Sequence, residues 1–329
     1  MPEVPVGGDT LSDVLRAVRL SGSLQFCFMP TGDWQTDVKP SLADMAGGRA
    51  PAGASTTVPF HIVVDGRCWM RIEGRHYDLL PGDVLAFPFA SGHQLGAGKD
   101  GRLITPVRDL PPKPWRELPS LQYGRGRHRV RLLCGYLQCD AMGFAPLRAA
   151  LPPVIHVRTR GNADTGWLRA TIQQIVAEAD RPRAGGISAL ERLTEMMFIE
   201  LLRQQIAAAQ PSSAGWLAAL TDATLGRCLL LIHQEPDRDW SVQALARAVG
   251  VSRTVLAERF EAVLRTSPMR YLRDWRLCLA SVALGNTSRS IVAIAQQAGY
   301  GTEAAFSRAF SRAYGLPPAA WRRQARLSK

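Results

Sequence analysis

The chain has 329 residues and carries 40 Lys+Arg against 28 Asp+Glu, a net charge of +12; the length favours two domains and the charge suits a polyanionic partner. No apolar run approaches the ~20 residues needed to span a bilayer, and the start Met1-Pro2-Glu3-Val4-Pro5 lacks a basic stretch followed by an apolar core, so a cytoplasmic protein with no membrane contact is expected. The six cysteines (Cys27, Cys68, Cys134, Cys139, Cys228, Cys278) are dispersed without a Cys-x-x-Cys, and a chain of this length folds on its core alone, so reduced thiols are expected.

From Val58 to His93 the pattern is strand-like. Ile62 and Val64 alternate before Asp65-Gly66, and Cys68, Met70 and Ile72 alternate before Glu73-Gly74; Pro81-Gly82-Asp83 then precedes Val84 to Phe87. Short strands divided by such dipeptides predict the hairpins of an antiparallel barrel or sandwich. Residues 97 to 128, rich in Gly, Pro, Lys and Arg, read as an extended surface loop, and strand pattern returns from Val130 to Leu137. Helical periodicity takes over in Trp167 to Ala179 and Ser188 to Gln205, a helical hairpin, and Ala207 to Gly215 with Gln210-Pro211-Ser212-Ser213 reads as an interdomain linker.

The last ninety or so residues carry one helix pair twice. Val242, Leu245, Ala246 and Val249 precede Gly250-Val251-Ser252 and then Leu256, Phe260, Val263 and Leu264; the pattern recurs as Ile291, Ile294, Ala295 and Ala298, Gly299-Tyr300-Gly301-Thr302, then Phe306, Phe310, Ala313 and Tyr314. Each copy predicts two short amphipathic helices joined by a tight Gly turn, the helix-turn-helix geometry whose second helix can enter a DNA major groove. Met269 to Leu284, opened by Pro268, is expected to be one helix joining the copies. The basic excess sits here, since residues 216 to 329 hold 16 Lys/Arg against 8 Asp/Glu. Arg supplies 36 of the 40 basic residues, a usage that genome base composition can also produce, so it is the distribution that points to phosphate.

These residues resemble the DNA-binding domain of AraC/XylS-type transcriptional regulators over Trp240 to Trp321, through Ser241 to Ala246, Gly250-Val251-Ser252, Ser267-Pro268, Arg276-Leu277, Ile291 to Ala295, Gly299-Tyr300 and Gly315 to Pro318. The N-terminal region is similar to the cupin-type sensor domain of one branch of that family, through Phe60-His61, Gly66 to Trp69, Leu80 to Asp83, Gly92-His93 and Leu133-Cys134-Gly135. The resemblance implies an α+β multidomain chain. It would have a cupin-like antiparallel β-barrel at about 20–160 with helices at about 165–206, making an effector and dimerisation domain over 1–206. A linker at 207–217 and an all-α domain with two helix-turn-helix units at 218–329 would follow. Arg276 would then be an internal ion-pair residue.

The residues off the apolar stripes are the ones able to reach base edges: Arg253, Thr254, Ala257, Glu258 and Glu261 in the first recognition helix, and Glu303, Ala304, Ser307, Arg308 and Ser311 in the second. Ser252 and Thr302 are placed to cap these helices and offer hydroxyls to phosphate. Arg308 is the foremost base reader, because guanidinium pairs bidentately with guanine, whereas Glu258 and Glu303 can accept from cytosine or stand solvated.

In the sensor, His61, Trp69, His93 and Cys134 are expected around a barrel interior that takes a small molecule, metal or oxidant. By resemblance His61 and His93 match metal-ligand positions, but His61 is followed by Ile62 and Val63 where a metal cupin offers a second His. The set is incomplete unless His76 or Cys68 completes it, so no cofactor is assigned, and a hydrogen-bonded core histidine is the alternative to a metal ligand. Cys27, Cys68 and Cys134 are redox candidates. Cys134 and Cys139 should point to opposite faces of one strand, whereas Cys27 with Cys134 or Cys68 is geometrically open.

Enzyme signatures are missing: no Gly-x-Ser-x-Gly, no phosphate-cradling loop with Lys, no His-Glu-x-x-His. The reading is a sequence-specific transcription factor that binds double-stranded DNA as a homodimer, answers a small-molecule or oxidant effector and works with RNA polymerase. The alternative is a cupin-fold metal-dependent enzyme fused to a DNA-binding module.

Overall fold

A computed structural model describes residues 10–17, 20–38, 57–99, 101–112, 115, 117–139, 144–161, 163–208 and 214–327. The expected linker segment Gln210 to Ser213 lies outside them. The strands are β1 (Leu20–Pro30), β2 (Trp34–Val38), β3 (Thr57–Asp65), β4 (Cys68–Ile72), β5 (Arg75–Leu79), β6 (Asp83–Ala86), β7 (His93–Ala97), β8 (Arg102–Leu103), β9 (Ser120–Tyr123), β10 (Arg131–Cys139) and β11 (Ile155–Arg158). The helices are α1 (Thr10–Ala17), α2 (Ala145–Ala150), α3 (Gly166–Asp180), α4 (Gly186–Ala208), α5 (Trp216–Thr221), α6 (Ala223–Gln234), α7 (Val242–Ala248), α8 (Arg253–Arg259), α9 (Pro268–Asn286), α10 (Ile291–Gln297), α11 (Glu303–Tyr314) and α12 (Pro318–Leu327).

The strands form two sheets in the orders β11-β6-β3-β10-β1-β9 and β5-β4-β7-β2-β8. Pairing is antiparallel except where β9 joins β1 and β8 joins β2. The region expected to be one extended loop, 97 to 128, thus supplies two short strands and a 3-10 turn at Pro106–Asp109. Period-2 alternation divides each strand of the larger sheet between two cores. Val63, Leu85, Leu132 and Cys134 face the smaller sheet and pack with Met70, Leu79 and Leu95, whereas Phe60, Ile62, Val84, Leu133 and Leu137 face outward onto helices.

One residue breaks the alternation. Leu24 pairs with Gly135 and Phe26 with Cys134, so Gln25 is an extra residue in β1. The bulge reverses parity: Leu24 lies on the helix side, Phe26 and Phe28 on the barrel side, and Cys27 again on the helix side.

The outer face of the larger sheet is covered by α4, through Met197, Phe198, Leu201 and Leu202, and by Leu168, Ile172 and Ile175 of α3. The same core runs on without a break through Phe144, Trp216, Leu225, Leu229 and Ile232 to Leu245, Leu256, Phe260 and Tyr271. A separate core in the last third joins Leu277, Leu284, Ile294, Phe306, Phe310 and Tyr314. Ala313, expected in that stripe, is exposed instead.

Gly22 sets how closely α4 lies on β1, because a Cβ there would run into the side chain of Thr194. Thr194 cannot swing away cheaply, since its hydroxyl donates to the carbonyl oxygens of Leu190 and Glu191 at 2.9 and 2.8 Å. Gly22→Ala should therefore destabilise the chain by about 1–3 kcal/mol, seen as a lower urea midpoint at unchanged slope. Wild-type stability in that variant would show that α4 does not seat on β1 as described.

Candidate nucleic-acid interface and N-terminal domain core

The two helix pairs share their turn chemistry bond for bond. Ser241 and Ser290 cap α7 and α10 by accepting from the N–H groups of Ala244 and Ala293, both at 3.1 Å. At the turn, Gly250 and Gly299 adopt φ of 75° and 82°, the left-handed region that glycine enters without strain. Val251 and Tyr300 then return a backbone N–H to Ala246 and Ala295 at 3.0 and 2.9 Å. Ser252 and Thr302 cap α8 and α11, each accepting at 3.2 Å from Val255 and Ala305 respectively. The offset is 49 residues up to the turn and 50 after it, Gly301 being the extra residue of the second copy.

Leu256 and Phe260 anchor α8, continued by a π-turn over Phe260–Leu264, and Phe306, Phe310 and Tyr314 anchor α11. This leaves Ser252, Arg253, Thr254, Ala257 and Glu258 exposed on one unit and Thr302, Glu303, Ala304 and Arg308 on the other, with Ser307 half-buried. Among the described residues, Arg253, Arg308 and Arg312 have no ion-pair partner.

Other arginines are occupied. Arg259 Nη1 donates to both carboxylate oxygens of Asp222 at 3.2 Å, tying α8 to the start of α6. Arg276 donates to the carbonyl oxygens of Pro236 and Arg238 at 2.7 and 2.9 Å. It is internal as expected, but it serves backbone rather than an ion pair. Arg322 donates to the Arg289 carbonyl oxygen at 2.6 Å. A polar chain, Arg289 to Gln297 at 2.6 Å and Gln297 to Asp237 at 3.2 Å, bridges the two units; no spacing in the sequence marks it.

In the N-terminal domain, His61, His93 and Cys134 do come together, at 6, 4 and 4 % exposure. His93 Nδ1 lies 3.0 Å from the Ser91 carbonyl oxygen, which can only accept, so that nitrogen carries the proton. The neutral ring then accepts at Nε2 from His61 Nε2–H, 2.9 Å away, and the bare Nδ1 of His61 accepts from the Cys134 thiol at 3.1 Å. Burial pushes the Cys134 pKa well up and, with His93 nearby, that of His61 well down, so the relay is built of neutral groups. Cys134 is a protonated donor rather than a reactive thiolate.

Several expectations for this region are corrected. Trp69 does not face the barrel interior: Cys68 and Met70 point inward, while Trp69 donates to the Gly98 carbonyl oxygen at 2.9 Å on the outer face, under Arg71. Cys27 lies on the helix side of β1 beside Arg131, which donates to its sulfur at 3.3 Å, so the sheet separates it from Cys134 and the two cannot pair without a strand rotating. Cys68 is buried, its pKa raised to about 12 by burial and then by Asp83. None of the six cysteines is in a disulfide. The metal set fails on geometry, since His93 and Cys134 use opposite nitrogens of His61 and His76 pairs with Asp78 at 3.3 Å on the surface. Among the described residues no group of three His, Cys, Asp or Glu could hold a metal ion.

A cupin family model matches residues 9–207 and a helix-turn-helix domain model matches residues 245–324. The chain is 31 % identical over 271 residues to an uncharacterized HTH-type transcriptional regulator of Haemophilus influenzae, covering 82 % of this chain and 87 % of the relative. An AraC-like transcription regulator of Streptomyces lividans is 29 % identical over 325 residues, 96 % of this chain and 98 % of its own. A crystal structure of an AraC-type DNA-binding domain protein from Chromobacterium violaceum is 30 % identical, covers 32 % of this chain and 96 % of its own, and aligns with a TM-score of 0.32.

Acid should loosen the molecule through its buried histidines. Burial lowers the pKa of His93 to about 4 and of His233 to about 3, whereas an unfolded chain titrates them near ~6.5. Their stabilising neutrality is complete above that value and is lost as pH falls towards the folded-state values. Between pH 7 and pH 5 the unfolding free energy should drop by about 2 kcal/mol per histidine, and His93→Gln should flatten the profile by one histidine's share. A pH-independent unfolding free energy over that interval would refute the neutral assignment.

Proposed function

The chain belongs to the AraC-type helix-turn-helix transcriptional regulators that carry an N-terminal cupin domain, and from that premise we propose which of its surfaces read DNA, join subunits and receive a signal. Its relatives are transcriptional regulators rather than enzymes, so the fused-enzyme alternative is set aside.

Base reading is assigned to the exposed faces of α8 and α11. The observation that carries this is the repetition of one capped, glycine-turned helix pair whose outward side chains include Arg253, Thr254 and Glu258 on one unit and Glu303 and Arg308 on the other. The two faces are not equivalent. Once the extra turn residue is allowed for, Arg253 corresponds to Glu303 and Glu258 to Arg308, so the charge order along the helix is reversed between units. Arginine favours guanine and glutamate favours cytosine, which makes the two groove segments different in sequence rather than repeats. With both units carried on α9, one domain should contact two major-groove segments about one helical turn apart, ~34–36 Å.

Arg308→Ala should cost about 1–3 kcal/mol on the specific site and relax preference at one or two base pairs, whereas nonspecific affinity should keep its steep salt dependence. An unchanged ratio of specific to nonspecific affinity would remove Arg308 from the reading face.

The N-terminal domain is assigned to effector sensing and assembly. Sensing is supported by the unbroken apolar core from the larger sheet to α6, α8 and α9, which gives a shift in the sensor a packed route to the first reading unit. Assembly is supported by the hairpin of α3 and α4, whose inner face covers the sheet while Trp167 and Met196 stand 55 and 39 % exposed. An isologous dimer through this surface would present two DNA-binding domains. Sedimentation of the full chain should show a dimer that Trp167→Glu or Met196→Glu converts to monomer; a monomeric wild-type protein would confine the hairpin to covering the barrel.

A further inference from the structure

β9 pairs with β1 only from Cys27 to Pro30, so among the described residues the edge of β1 from Ser23 to Gln25 has no strand beside it. The turn between α3 and α4 forms the facing wall, and a cleft of about 540 Å³ lies between them, with apolar sides of Leu24, Trp115, Leu118, Ala179, Ile187 and Leu190. None of these residues has a role in reading DNA.

Side chains bond along this strand edge, and one side-chain atom is left over. Ser23 Oγ and Gln25 Nε2 donate to the Leu24 carbonyl oxygen at 3.5 and 3.3 Å, and Gln25 Nε2 also donates to Ser23 Oγ at 2.7 Å. Gln25, the bulge residue, is 1 % exposed and lines the cleft, yet its Oε1 accepts no hydrogen bond from any described residue. A buried acceptor without a donor is a standing cost that an incoming N–H would remove.

The charges point the same way. Glu178 is almost enclosed and is matched by Arg183, which donates from its backbone N, Nε and Nη2 at 3.1, 3.1 and 2.5 Å. Glu117 and Glu191, both exposed on the rim, have no ion-pair partner within 4 Å among the described residues. Three carboxylates against one guanidinium make the described lining acidic in a chain whose net charge is +12. An aromatic ring, aliphatic walls and surplus carboxylates together select a hydrophobic cation and repel an anion.

We propose that this cleft is a binding site for a hydrophobic organic ammonium, its N–H turned to Gln25 Oε1, its charge met by Glu117 and Glu191, and its apolar body held between Trp115, Leu118 and Ile187. The site lies outside the barrel interior and away from the His61–His93 relay. Its chemistry stands independently of the DNA-reading assignment; only its use as a signal input rests on the sensing role proposed above.

The test is calorimetric titration of the full chain, without DNA, with 1-naphthylmethylammonium, its N,N,N-trimethyl counterpart and 1-naphthylacetate. The primary ammonium should saturate one site, the carboxylate should bind at least about tenfold more weakly, and the trimethyl ion, with no N–H to give, should fall between them. Glu117→Gln with Glu191→Gln should bring the cation and the anion to within about threefold of each other, and Ile187→Arg should lower the primary ammonium's affinity by about tenfold. All three positions are solvent-exposed, so an unchanged thermal midpoint confirms that the variants fold. Equal affinity for ammonium and carboxylate, indifference to these substitutions, or no binding of the ammonium would each overturn the proposal. DNA affinity measured on the same proteins distinguishes failure of the cleft from failure of the DNA-reading assignment.

Discussion

Phe144 holds the molecule together. It follows the last long strand of the N-terminal domain, and its ring meets four others edge-on: Trp216 at 6.2 Å, His233 at 5.9 Å, Tyr271 at 5.5 Å and Trp275 at 5.3 Å. These rings belong to α5, α6 and α9, so one side chain from that domain sits at the meeting point of the first DNA-binding unit. Such edge-to-face pairs add about 0.5–1.5 kcal/mol each beyond the area they bury. The cluster also has a polar axle. Trp216 Nε1 donates to the Tyr271 hydroxyl at 2.7 Å, and that hydroxyl lies 2.7 Å from His233 Nε2. Burial drives the phenol pKa well up and the imidazole pKa down, so both stay neutral and the axle is a hydrogen bond rather than an ion pair. These rings pack the N-terminal domain against the first helix-turn-helix unit.

Much of this was legible in the residues. The repeated helix pair, its glycine turns and its Ser and Thr caps are local chemistry, and local chemistry is written where it acts. Trp69 was legible too: the alternation of Cys68, Met70 and Ile72 already turns it outward, and only the resemblance to a sensor pocket drew it in. Other features were not. β1 does not alternate cleanly, because the bulge at Gln25 shifts its parity, so Leu20 to Pro30 reads as an apolar run of no particular period. Nor does spacing reveal that His61 and His93 face each other across the barrel, or that Cys27 and Cys134 stand on opposite sides of one sheet. Those relations are set by strand pairing between residues far apart in the chain.

Charge needed the structure most. A surplus of arginine suggests phosphate, but Arg259, Arg276 and Arg322 spend their donors on a carboxylate and on backbone carbonyls of the same domain. Their contribution is to hold helices in place. Among the guanidinium groups without an ion-pair partner in the described residues, Arg253 and Arg308 stand on the exposed faces of α8 and α11, at non-equivalent positions of the two helices.

The core of the last third is separate from the rest. Leu277, Leu284, Ile294, Phe306, Phe310 and Tyr314 pack on one another, and beyond α9 the second unit meets the first through the polar chain of Arg289, Gln297 and Asp237. The first unit shares its interior with the N-terminal domain and so inherits that domain's constraints; the second buries its own apolar surface and answers mainly to itself. A duplicated module arranged this way has unequal freedom to diverge. Substitutions on α11 leave the packing of the N-terminal domain untouched, whereas substitutions around α8 are felt back to Phe144. A regulator of this build can change its second helix-turn-helix unit without disturbing the packing of the first against the N-terminal domain.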